Sequence, residues 1–152
     1  MSSTNATRIL KAKKIPFIEY TYSAEDLSVE KIAEDNNLPV AQVFKTLVAK
    51  GDKTGVIIAV VAGDASLNLK ALAKASGNKK IALIPVKDLQ GLTGYIRGGC
   101  SPIGMKKDFP VFISTRALDF DKIFVNAGKR GVLMGVEPNA LAGVCGGIFS
   151  DI

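Results

Sequence analysis

Apolar positions along this chain change period several times, and each change marks an element. Ala6, Ile9 and Leu10 recur at helical spacing behind Thr4, a residue able to cap orphan amides, which predicts a first helix to about Lys14. Ile18, Tyr20 and Tyr22 then alternate with Glu19 and Thr21, the period of a half-buried strand over Phe17–Tyr22. Ser28 caps a second helix over Val29–Asn36, the Asn36-Asn37 pair closes it, and Pro39 opens a short helical turn. Val43–Lys50 and Val56–Ala62 read as strands joined by Gly51-Asp-Lys-Thr-Gly55, a hairpin signal.

Asn68 caps a third helix that Gly77 stops, Lys80–Ile84 reads as a strand, and Pro85 starts a short helix through Leu89. Short strands are expected around Tyr95, at Val111–Ser114, at Lys122–Asn126 and at Val132–Val136, and Pro138 opens a C-terminal helical turn to about Gly143. Early helices followed by a run of short strands point to an α+β fold: one domain over residues 1–152, with a mixed, curved sheet flanked by helices. A doubly wound parallel fold fits worse, because the second half lacks regular crossover helices.

Composition narrows the class. At 152 residues and 47% hydrophobic, the chain can bury a core and does not read as disordered. Its longest apolar run, Val56–Ala62, is far shorter than the roughly 20 residues a membrane helix needs, so no membrane partner is expected. Met1–Arg8 lacks an apolar signal core, and Cys100 and Cys145 cannot form a disulfide framework, so the expected setting is cytoplasmic and reducing.

Histidine is absent, which removes Ser-His-Asp and Cys-His catalysis and most zinc sites. Two isolated cysteines leave too few soft ligands, so neither a metal nor another cofactor is expected, and activity should persist in a chelator. Lysine, carboxylates, hydroxyls, backbone dipoles or the substrate itself must carry any chemistry. Twenty Lys and Arg against fourteen Asp and Glu give +6, which fits either a polyanionic partner or a merely soluble basic protein.

Three constellations could carry chemistry. Lys45 lies in Val43-Phe-Lys-Thr-Leu-Val-Ala49, apolar on both faces, so it is either a functional lysine aimed at a dry site or a snorkelling edge lysine. Gly94-Tyr-Ile-Arg-Gly-Gly-Cys-Ser-Pro-Ile-Gly104 could fold its amides into a nest for an anion, or simply connect two strands tightly. Within it, Ser101 could pair with Lys45 as a nucleophile, whereas Cys100 reads as a buried thiol. Gly128-Lys-Arg-Gly131 is a basic turn suited to phosphate or to plain solvation, and Lys11, Lys13, Lys14, Lys79, Lys80, Lys106 and Lys107 are open to the same two readings.

Taken together and in order, these segments resemble the YbaK/EbsC family, free-standing relatives of the prolyl-tRNA synthetase editing domain. The matching pieces are Val43–Leu47, Val61-Ala-Gly63, Leu69–Lys74, Gly94-Tyr95, Gly98–Gly104 and Gly128–Gly131. The resemblance implies a curved, barrel-like sheet and trans-editing: hydrolysis of the ester in a mischarged tRNA, most often Cys-tRNA(Pro), with Cys-tRNA(Cys) and Ala-tRNA(Pro) as alternatives. It places the family's lysine on Lys45 as the catalytic residue and its threonine on Thr46. Tyr22, Gly98, Gly99, Cys100, Ser101, Pro102 and Gly104 would shape the aminoacyl pocket, and Lys129 and Arg130 would meet tRNA. Implied partners are the aminoacylated 3′ end of tRNA and prolyl-tRNA synthetase. Where cysteine-specific members carry an aspartate, this chain has Leu133, with no carboxylate following until Glu137. A non-catalytic module that holds tRNA or a synthetase is the competing reading.

Overall fold

The structure, a computed structural model, describes residues 3–152, so Met1 and Ser2 of the stretch read above for a signal core lie outside the described residues. The chain runs α1 (Asn5–Ala12), β1 (Ile18–Thr21), α2 (Val29–Asp35), β2 (Phe44–Gly51), β3 (Gly55–Ala62), α3 (Leu69–Ser76), β4 (Ile81–Leu83) and α4 (Val86–Thr93). After a long loop come β5 (Val111–Ser114), β6 (Ile123–Asn126), β7 (Val132–Val136), α5 (Pro138–Cys145) and β8 (Gly147–Ser150). Single-turn 3-10 helices occupy Val40–Gln42 and Thr115–Asp119.

Local chemistry explains most boundaries. Thr4 caps α1 by accepting from the Thr7 amide, and Thr7 returns the bond to the Thr4 amide, two orphan donors satisfied reciprocally. Ser28 and Asn68 cap α2 and α3 one way only, accepting from the amides of Lys31 and Ala71. The β2–β3 turn is held from outside: Asn78, just past α3, accepts from the amides of Lys53 and Thr54 at 2.8 and 3.0 Å.

The strands form two sheets, ordered β1-β7-β6 and β4-β2-β3-β5-β8. The larger is mixed: β2 pairs antiparallel with β3 and β4, whereas β3–β5 and β5–β8 are parallel. Among the described residues a single parallel bridge, Val43↔Phe124, joins the two sheets. The α+β class with a mixed sheet is as expected, and the barrel-like arrangement stays unclosed, because β2 and β6 pair no further than that bridge and leave a gap. β3 is central, with Ile58 and Val60 packing into the main core and Ile57 and Ala59 into a second cluster on the opposite face. Each such fully buried Ile or Val contributes about 1.5–3 kcal/mol relative to exposure.

Other expectations change as well. The segment around Tyr95 is not a strand: α4 continues past Leu89 to Thr93, Gly94 ends it in the left-handed region, and the Tyr95 hydroxyl donates to the Ile103 carbonyl at 2.6 Å. β8 and the 3-10 turn at Thr115–Asp119 had no distinct periodicity to announce them. β8 exists because β5 offers it an edge, pairing Val111↔Gly147 through Ser114↔Ser150. Ile9 is only partly buried on α1, and Thr7 takes a fully buried place beside Ala6 and Leu10.

Candidate active site

The gap between the sheets is a cleft of about 470 Å³. β2 forms its floor, the Tyr22–Ile32 stretch one wall, and Arg97, Gly98, Cys100, Asn126 and Leu133 another. Its lining is dominated by aliphatic side chains, among them Leu27, Val29, Val43, Leu47 and the buried Leu133.

Lys45 is half-buried in this cleft, and its ammonium donates to the Ala65 carbonyl at 2.9 Å. The loop that brings this carbonyl within reach follows Gly63, where a Cβ would lie 2.5 Å from the Val43 carbonyl oxygen and 2.7 Å from that of Val40. Only glycine permits that approach. Beside it, Asp64 and Arg116 form a two-pronged ion pair, with contacts of 2.8 and 3.1 Å. The Arg116 guanidinium holds the Asp64 carboxyl below the usual carboxylate range, and the Lys45 charge acts in the same direction. Lys45 therefore stands in a field containing one carboxylate already committed to an arginine.

The floor also carries an unpaired strand edge. Ile84 donates to the Val48 carbonyl at 3.1 Å, and β4 pairs with β2 only over Ala49–Gly51. Among the described residues β6 pairs with this edge only at the bridge Val43↔Phe124, just before β2. Successive residues of an antiparallel strand direct their amide and carbonyl to opposite edges, so Thr46, two residues from Val48, shares its edge. Its N–H and C=O face the gap with no strand beside them, and its hydroxyl, too, has no hydrogen-bond partner. An open backbone donor and acceptor next to a lysine can orient an acyl group.

Tyr22 and Gly98 meet at the cleft wall. The Tyr22 hydroxyl donates to the Gly98 carbonyl at 3.3 Å, and Asn126 donates to both oxygens at 2.9 Å. The Asn126 side-chain oxygen accepts from the amides of Gly128 and Lys129, at 2.6 and 3.0 Å. Asn126 thus joins the end of β1, the glycine-rich loop and the basic turn. Sequence reasoning missed it; the available signal was an asparagine closing a strand immediately before Ala-Gly, a position suited to bonding amides two and three residues on.

The structure divides the residues picked from the sequence. Tyr22, Lys45, Thr46, Gly98 and Cys100 line one cleft. Gly99, Ser101, Pro102 and Gly104 do not: Ser101 is fully buried, its hydroxyl accepting from the Ile103 amide at 3.2 Å, while Pro102 and Gly104 border a separate hollow beside α1. A serine–lysine pair is therefore not assembled. Nor is the loop an open nest, because the Gly99 amide is spent on the Ile96 carbonyl and Gly98 turns its carbonyl to Tyr22 and Asn126. Burial pushes the Cys100 thiol up to about 12, so it stays neutral at physiological pH and is a poor nucleophile. Lys129 and Arg130 are exposed at the tip of the β6–β7 turn, where the Arg130 Nε donates to the Arg97 carbonyl at 2.8 Å.

Among the described residues no helix is long and apolar enough to cross a membrane, and no three Cys, Asp or Glu gather as a metal-binding group. The architecture is shared by a crystal structure described as a putative trans-editing enzyme for prolyl tRNA synthetase, with a TM-score of 0.84 at 22% identity over 99% of this chain and 98% of that one. In sequence, the chain is 47% identical over 151 residues to the Enterococcus faecalis protein named "Putative Cys-tRNA(Pro)/Cys-tRNA(Cys) deacylase EbsC", covering 98% of this chain and 92% of that protein. It is also 30% identical over 90 residues to the proline–tRNA ligase of Thermosipho africanus, a match covering 59% of this chain and 16% of the ligase. Residues 24–144 match the model of the aminoacyl-tRNA editing domain, a span that contains Lys45, Asn126 and every cleft-lining residue except Tyr22, and the chain therefore belongs to the aminoacyl-tRNA editing domain family.

Proposed function

We propose that this protein is a trans-acting deacylase that hydrolyses the ester of mischarged tRNA, with Cys-tRNA(Pro) its main substrate and Cys-tRNA(Cys) a second. The observation that carries the reading is the pairing of Lys45 with the open Thr46 edge inside an otherwise apolar cleft. The name of the Enterococcus relative supports the same substrate class.

An aminoacyl ester is already activated, so positioning and charge stabilisation can drive its cleavage without a histidine base. The aminoacyl side chain lies against Leu133 and its aliphatic neighbours, and the Thr46 amide and carbonyl hold the acyl portion. Lys45, steered by the Ala65 carbonyl, stabilises negative charge developing near the terminal ribose. With a cysteinyl ester the substrate's own thiol attacks the carbonyl carbon, the bond to the ribose oxygen breaks as that oxygen takes the thiol's proton, and water then opens the resulting cyclic thioester to free cysteine. With an alanyl ester, water assisted by the neighbouring ribose hydroxyl takes the thiol's place. The apolar Leu133 wall favours small uncharged side chains, which keeps Ala-tRNA(Pro) as the second reading.

The test is deacylation of Cys-tRNA(Pro) and Ala-tRNA(Pro) by wild type and Lys45→Ala, in EDTA. Cysteine release that falls about 100-fold or more in the variant is expected, the scale of losing one charge-stabilising group. Preferential release of alanine would replace the substrate but keep the activity. Tight tRNA binding with no release of either amino acid would establish a binding module instead.

A further inference from the structure

A second concavity, about 1140 Å³, lies beside the Lys45 cleft, and the two share Leu83 and Ile84. Five lysines border it from separate elements: Lys50 on β2, Lys70 on α3, Lys79 and Lys80 in the loop before β4, and Lys87 on α4. All five are exposed, and among the described residues none is ion-paired. Two carboxylates share the groove. Asp52 is held by the backbone amides of Lys79 and Lys80, at 3.0 and 3.2 Å, which leaves Asp88 as the other negative charge.

We propose that this groove seats the phosphate backbone of the tRNA acceptor stem, an assignment that rests on the deacylase reading. A polymer whose 3′ end reaches Lys45 can leave across Leu83 and Ile84 directly into a channel bearing five cations against two carboxylates. The groove contains neither arginine nor an aromatic ring, so it lacks the means to stack bases or read their edges with a guanidinium fork. Lysines act as point charges on phosphates, which suits contacts that hold any stem regardless of its sequence. The Lys129–Arg130 turn offers only two cations, and one of them is already bonded to the Arg97 carbonyl.

The experiment measures binding of uncharged tRNA by fluorescence anisotropy across a salt series. It compares wild type, the Lys70→Ala/Lys80→Ala/Lys87→Ala variant, its Lys→Arg counterpart, and Lys129→Ala/Arg130→Ala. Circular dichroism checks the fold of each. The triple alanine variant is expected to lose at least tenfold in affinity near physiological salt, and its plot of log K against log salt to flatten by about 2 to 3, roughly 0.9 per phosphate contact. The arginine counterpart should keep wild-type affinity. Hydrolysis of a cysteinyl ester of adenosine, which has no stem, should be equal in wild type and the triple variant.

Unchanged affinity and slope in the triple alanine variant would overturn the groove, as would a loss confined to the Lys129–Arg130 pair. Capture of an acidic protein through these lysines, with tRNA affinity intact in the variant, would overturn it too. If no ester is hydrolysed while tRNA binding follows the groove lysines, the deacylase reading falls and the groove stands.

Discussion

The side-chain amide of Asn126 donates to the Tyr22 hydroxyl at 2.9 Å, binding the last strand of the small sheet to the chain that leaves β1. The same nitrogen reaches the Gly98 carbonyl, so the three residues tie the two walls of the cleft together. Removing the amide leaves several part-buried polar groups without this partner together, which costs more than the loss of one average hydrogen bond.

Asn126→Ala is therefore expected to destabilise the protein by about 2–3 kcal/mol, measured by urea unfolding. Asn126→Asp keeps an acceptor for the Gly128 and Lys129 amides but cannot donate to Tyr22 or Gly98. It should fold better than the alanine variant while still losing deacylation rate. Equal rates for Asn126→Asp and wild type would show that the wall tolerates the loss of these donors.

Gly98 has φ +81°, and a Cβ there would lie 2.6 Å from Leu27 Cδ1. Left-handed backbone costs a non-glycine residue about 1–2 kcal/mol before that clash is counted. Gly98→Ala should lower the melting temperature and shift the carbonyl that Tyr22 and Asn126 grip. A larger fall in kcat/KM than Gly91→Ala, a helical glycine with open space around its Cβ position, is the expected result.

Burial raises the Cys100 thiol from 9.0 to about 12 and the Cys145 thiol from 9.0 to about 11. The unfolded chain therefore releases these protons first as pH rises. Above pH 9 the folded state holds more protons than the unfolded one, so stability falls as pH climbs toward 11 to 12, by about 1.4 kcal/mol per pH unit for each thiol. Below pH 9 the thiols contribute no slope. Urea midpoints at pH 8, 9 and 10 should fall less steeply in Cys100→Ala/Cys145→Ala than in wild type. Native Cys100 should also resist iodoacetamide at pH 8, where its thiolate fraction is on the order of 10⁻⁴.

Leu133 is 2% exposed and forms part of the cleft wall. Leu133→Asp puts a carboxylate among aliphatic side chains, and a destabilisation of at least about 3 kcal/mol is expected at pH 7. The cost should shrink at pH 4, where protonation removes the charge. An unchanged urea midpoint at pH 7 would mean that a polar partner already awaits the carboxylate there.

Periodicity and caps were enough to locate α1, α2, α3, the β2–β3 hairpin and the strands β5, β6 and β7, because these depend on contacts a few residues apart. The resemblance of the ordered motifs likewise points to the editing family. Composition alone removed histidine and left lysine, carboxylates, hydroxyls, backbone dipoles or the substrate to carry the chemistry.

Tertiary structure decided what local pattern could not encode. β8 is a strand only because β5 lends it an edge, and the stretch around Tyr95 is a loop because its hydroxyl and neighbours bond within the glycine-rich segment. Whether Ser101 or Cys100 faces Lys45 depends on how one loop folds, and it buries the serine away from the cleft. Asn126 acquires its place through bonds to residues 104 and 28 positions away, contacts that leave no periodic trace. The open edge at Thr46 is a property of register between strands, set by where β4 stops and β6 departs, and no residue type announces it.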